Sequence, residues 1–105
     1  VGARYEEKFD SSFEAEMRVE FTTVGREVTS YSVVLVFTVD EGRRETARLY
    51  DSAHGFTEMH RYGRGSGKSS GKRFHNGTLG EGMRTAIEEI KRRHEAMIEG
   101  WKGDL

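Results

Sequence analysis

The chain of 105 residues contains no cysteine, which rules out disulfide bridges and thiolate metal sites and suits a cytosol. No apolar run approaches the roughly 18 residues that a membrane span needs, and there is no leader with an apolar centre. The expectation is a soluble, cytoplasmic protein without membrane contact. The first residue is Val1 rather than Met, which suggests a trimmed N-terminus. One further absence is local. Between His60 and Thr78 there is no Asp or Glu, although the whole chain carries 18 of them against 17 Lys and Arg. A nearly neutral total hides a concentrated positive segment.

What is present suffices for one domain over 1–105 with a single modest core. Hydrophobic residues make up 34% of the chain and charged residues 33%, so the apolar side chains must be placed economically. From Phe13 to Phe21 apolar and polar residues alternate, which puts Phe13, Ala15, Met17, Val19 and Phe21 on one face of a strand. Gly25 punctuates the chain. A second strand, rich in Val, Thr and Tyr, runs from Val28 to Asp40, with Tyr31, Val33, Leu35, Phe37 and Val39 as its better apolar face. Glu41-Gly42 marks a turn, Glu45 to Ala53 a third strand, and Phe56 to Tyr62 a fourth.

Pairing Val39 with Glu45 sets Leu35 opposite Leu49 and Phe37 opposite Ala47. A tight turn at Ala53-His54-Gly55 then sets Leu49 opposite Met59 and Arg48 opposite His60. In that register Arg48, Tyr50, Glu58, His60 and Tyr62 share the polar face, and a slip of one residue would reverse it. Thr78-Leu79-Gly80-Glu81 is a capping-box pattern. Behind it Leu79, Met83, Ala86, Ile87, Ile90, Met97, Ile98 and Trp101 form one helical stripe, with His94 packed or half-buried along it and Gly100 and Gly103 as stops. The expected fold is α+β: a four-stranded antiparallel meander packed on one long C-terminal helix of about 20 residues. Val34 and Val36, rimmed by Tyr50 and Tyr62, would then offer a homodimer or partner surface on the uncovered face.

The acid-free segment forms a basic, glycine-rich loop over 63–77. Arg61, Arg64, Lys68, Lys72, Arg73 and His75 on a bendable backbone point to phosphate, hence to nucleic acid. Gly67-Lys68-Ser69 looks like the end of a phosphate loop, but that motif needs a glycine where Tyr62 stands. It also needs a helix beginning at the Lys-Ser pair, whereas the helix begins only near Leu79. Four histidines supply the candidate chemistry. His60 and His54 as proton carriers, with Arg48 and Tyr50 in support, would suffice for metal-free RNA cleavage by the ribose 2′-hydroxyl. A zinc or manganese site from His54 and His60 with Asp51 or Glu58 is chemically possible. No compact ligand spacing supports it, so neither a metal nor another cofactor is expected.

Tyr50-Asp51-Ser52-Ala53-His54-Gly55, followed by His60, resembles the Tyr-Asp-x-x-His-Gly segment of small TumE-type toxin proteins of prokaryotic toxin–antitoxin systems. Where that family tends to carry a His-x-His pair, this chain has Glu58 and His60. The resemblance covers the turn and its two flanking strands. It implies toxin action on RNA or translation and an antitoxin partner, and it highlights Tyr50, Asp51, His54, Gly55 and His60. The expected function is therefore an RNA-directed, toxin-like protein, possible as a metal-independent endoribonuclease. The alternative is a non-catalytic protein- or nucleic-acid-interaction module with a basic flexible loop.

Overall fold

The computed structural model describes residues 2–9, 13–39 and 42–104. Val1, Asp40 and Glu41, which carry the expected N-terminus, strand end and turn, lie outside the described residues. Seven strands and one helix follow in order: β1 Gly2–Lys8, β2 Glu16–Val24, β3 Glu27–Thr38, β4 Arg44–Asp51, β5 Glu58–Gly63, β6 Gly67–Lys68, β7 Lys72–Arg73 and α1 Leu79–Gly103. The strands form one antiparallel sheet in the order β1-β2-β3-β4-β5-β6, with β7 also pairing to β5. The α+β class and the C-terminal helix stand; the four-stranded count does not. β1 is an exposed edge whose Arg4, Glu6 and Lys8 give no apolar alternation to read. β6 and β7 are two-residue pairings inside the expected 63–77 loop, which glycines disguise.

Periodicity of two builds the core. Met17 pairs with Leu35, Val19 with Val33 and Phe21 with Tyr31, so both strands turn one apolar face to α1. Ala15, Met17, Val19, Tyr31, Val33, Leu35 and Phe37 are buried there, against Met83, Ala86, Ile90, Met97, Ile98 and Trp101 of the helix. The helix starts as its sequence dictates. Glu81 N donates to Thr78 Oγ1 at 3.1 Å and Thr78 N donates to Glu81 Oε1 at 2.8 Å, closing the capping box. Gly82 lets the first turn press against the sheet, because an added methyl would overlap Thr57 Oγ1. The helix continues through Gly100 and ends at Gly103. His94 is half-buried, stacked 4.2 Å from Phe9. No helix among the described residues is long and apolar enough to cross a membrane.

The registers of β3–β4 and β4–β5 differ from the expected ones, and the difference reorganises the site. Near the turn Phe37 pairs with Glu45, a tighter hairpin than the Val39–Glu45 pairing implies. An irregularity then sets Leu35 against Arg48 while its neighbour Val36 pairs with Thr46, leaving Ala47 as an extra residue in β4. A bulge of this kind exchanges the faces of every residue beyond it. Arg48 and Tyr50 therefore turn toward the core, paired with Leu35 and Val33, while Leu49 joins Val34 on the opposite face. The chain turns through 52–57 rather than 53–55, so Leu49 pairs with His60, Tyr50 with Met59 and Arg48 with Arg61. The valine patch also changes. Val36 is buried and Tyr50 is fully buried on the other side, so Tyr50 does not rim the two valines as expected.

Candidate functional site

Strands β4 and β5 carry two polar clusters, one on each side of the sheet. On the helix side stand Arg48, Tyr50 and Arg61, with Arg93 reaching in from α1. Arg48 is only 8% exposed. Its Nη1 donates to Tyr50 Oη at 3.3 Å, and its Nε is buried with no hydrogen-bond partner. Arg61 lies directly across from it. Two like charges facing each other across strands repel, and a buried cation without a direct ion pair is costly. Arg48, Arg61 and Arg93 line a cavity of about 430 Å³ with Tyr62, Ser69, Trp101 and, at its end, Asp104. Arg93 also reaches Glu89 one helical turn away, at 3.5 Å. Burial pushes the Tyr50 hydroxyl up to about 12, the nearby Arg48 opposing and Glu89 adding to the rise.

On the far side Asp51 lies directly across from Glu58, with His60 next along β5 on the same face. One ligand atom from each of Asp51, Glu58 and His60 lies within 4.8 Å of the others. Glu58 and His60 are buried and Asp51 is half-buried. His60 Nδ1 donates to the Ser69 carbonyl at 3.1 Å, because a carbonyl can only accept. His60 Nε2 faces Asp51 Oδ2 at 4.0 Å, too far for a hydrogen bond. The exposed His54 ring bonds to Glu58 Oε1 through Nδ1. That hydrogen bond raises the basicity of His54, and the Glu58 charge adds to it. Gly71 closes over the group, since a methyl there would overlap Glu58 Oε2 and crowd His60 Cε1.

Residues 61–73 form a basic arm along the edge of β5. Ser69 N donates to Arg61 O at 2.8 Å, and Arg61 N donates to Ser69 Oγ at 2.9 Å. Arg61, Arg64, Lys68, Lys72 and Arg73 are all exposed. None of them forms an ion pair among the described residues, and Arg73 lies 4.4 Å above the Phe56 ring. The tip of the arm is anchored. Gly65 N and Ser66 N donate to Asp104 Oδ2 at 2.8 Å each, and Ser66 Oγ donates at 2.9 Å. These donors hold the Asp104 carboxyl below its usual range, the Ser66 amide foremost. Arg64 N adds a bond to Trp101 O at 3.2 Å. His75 stands apart, beside Gly77 and the capping Glu81.

Residues 2–104 match a family described as a domain of unknown function, DUF7718. The chain belongs to the DUF7718 family. No curated protein and no solved structure matches it, and nothing in the family match connects a DUF7718 chain with TumE-type toxins.

The expected catalytic quartet is divided. His60 and His54 meet through Glu58, whereas Arg48 and Tyr50 lie beyond the sheet, because the β4 bulge reverses their face. The arm gathers Arg61, Arg64, Lys68, Lys72 and Arg73 as expected, and leaves His75 out. Arg93 escapes the sequence reading. Its only signal is its place one turn before Met97, at the edge of the apolar stripe. Glu58 and Asp51 as an opposed pair depend on a register that periodicity alone does not supply.

Proposed function

We propose that this chain is an RNA-directed binding protein, and that the helix-side cavity takes a backbone phosphate while the basic arm follows the strand on either side. The observation that supports it is Arg48: a buried guanidinium with an unpartnered Nε, opposite Arg61 and beside Arg93. An entering phosphate would supply the missing acceptor and relieve the repulsion in one step. Arg64, Lys68, Lys72 and Arg73 are unpaired and exposed, as a surface for a flexible polyanion requires. Half-buried Tyr62 at the cavity adds an aromatic edge of the sort bases rest on.

Binding without cleavage is the form this reading takes. The metal-free mechanism needs His60 and Arg48 on one phosphodiester, and the sheet separates them. The test is fluorescence anisotropy of labelled single-stranded RNA, beside DNA of the same sequence, in chelator and across a salt series. Affinity should fall with salt with a logarithmic slope of about −0.7 per phosphate engaged. Arg48→Met should cost at least about tenfold, the weight of one charge-assisted contact. Salt-independent binding, or none, would reject the reading. Cleavage in chelator that disappears in His60→Ala would replace it with the ribonuclease.

A further inference from the structure

We propose that Asp51, Glu58 and His60 form a binding site for a first-row divalent transition ion, zinc or manganese, on the face of the sheet away from α1. The inference stands apart from RNA binding, because the helix-side arginines contribute nothing to it.

Three independent observations converge. The first is charge. Asp51 and Glu58 lie directly opposite each other in β4 and β5, an arrangement that repels unless a cation lies between. The second is the direction of His60, whose side chain is only 10% exposed. Donation from Nδ1 to the Ser69 carbonyl leaves Nε2 as the free ring nitrogen, turned toward Asp51 and with no hydrogen-bond partner among the described residues. An imidazole anchored through one nitrogen to a backbone carbonyl is the usual arrangement of a metal-binding histidine, since the bond sets both tautomer and ring angle. The third is the support around Glu58. His54 occupies Oε1 and leaves Oε2 for the centre, in the manner of an outer partner that orients a ligating carboxylate.

The donor set selects the ion. One imidazole and two carboxylates suit zinc or manganese, whereas calcium and magnesium prefer oxygen-only surroundings. Three protein ligands with one open position is the pattern of a reactive metal site rather than a closed structural one. Access exists as well. Asp51, the most exposed of the three, borders an open groove of about 820 Å³ with Glu20, Ser32 and Ala53.

The deciding experiment titrates the full chain with zinc chloride and, separately, manganese chloride by calorimetry, and follows the zinc titration by nitrogen-detected NMR of the histidine rings. One-to-one saturable binding is expected with at least one of the two ions. Asp51→Asn and His60→Gln should each weaken it at least about tenfold, with circular dichroism unchanged. The His60 Nε2 resonance should move on zinc binding while Nδ1 keeps its proton. Absence of a one-to-one site for both ions overturns the proposal, and so does full affinity in both variants. Should either variant unfold, the His60 ring signal in the wild type decides alone: an unmoved Nε2 with zinc bound means that the ion sits elsewhere.

Discussion

The two faces of the β4–β5 ribbon carry opposite charge. Toward the helix stand Arg48 and Arg61, joined by Arg93; away from it stand Asp51 and Glu58, beside His60. The residues are near neighbours in sequence, and only the alternation of strand side chains sorts them. Each face sets two like charges opposite each other, and the helix side also leaves Arg48 Nε buried without a partner. On the two proposals above, one face would take an anion and the other a cation. Elsewhere the sheet pairs its charges, as Arg18 and Arg44 do with Glu16; across β4 and β5 like charges face each other instead.

The heaviest blow to this separation is loss of the layer that walls the cationic side. Ile90 is fully buried between α1 and the sheet, and Ile90→Ala should lower stability in urea unfolding by about 2–5 kcal/mol. A smaller loss would mean that α1 is loosely seated and the arginine cavity poorly walled. Next comes Arg48→Met. Glu89 reaches Arg48 only through the Tyr50 hydroxyl, so removal of the buried charge should leave stability unchanged or raise it, by up to roughly 4 kcal/mol, while weakening RNA binding. Opposite signs in the two measurements would mark Arg48 as a binding residue. Joint loss would make it a structural one and remove the difference between the faces.

Alkaline pH addresses the helix side through its tyrosines. Burial raises Tyr31 and Tyr50 from 10.0 to about 12. The native state therefore favours the neutral phenols, and their contribution is whole below pH 10 and drains as pH climbs toward 12. Urea midpoints measured across that window should fall, and fall less steeply in Tyr50→Phe. An equal slope in the variant would place the titration elsewhere. The mildest change concerns the arm. The depressed Asp104 carboxyl contributes above the ordinary aspartate range, and that contribution is lost as pH falls through its lowered value. In Asp104→Asn, amide exchange at Gly65 and Ser66 should quicken with little change in overall stability. Unaltered exchange would show that the arm is held by its strand pairing alone.

Much of the fold was legible because its signals are local. Met17, Val19, Val33 and Leu35 repeat at two and Met83, Ala86, Ile90 and Trp101 at helical spacing, and Thr78 with Glu81 marks where the helix begins. The arm was legible too, since a run free of acid needs no register. The site was not. Whether Arg48 or Leu49 faces the helix depends on one extra residue at Ala47, and a bulge of that sort leaves no mark in composition or period. The histidines and carboxylates were visible as candidates; their sorting onto two faces was not. β1 escaped for a different reason, because an exposed edge strand has little cause to alternate.

The Asp104 anchor has a mechanical meaning. It ties the tip of the arm to the last turn of α1, 38 residues away along the chain from Ser66, while the base of the arm grows out of β5. The arm is thus a strut between helix and sheet, fastened at both ends. Any ligand that draws its tip outward also pulls on the end of the helix that roofs the core, so a load on the arm would register as strain along α1.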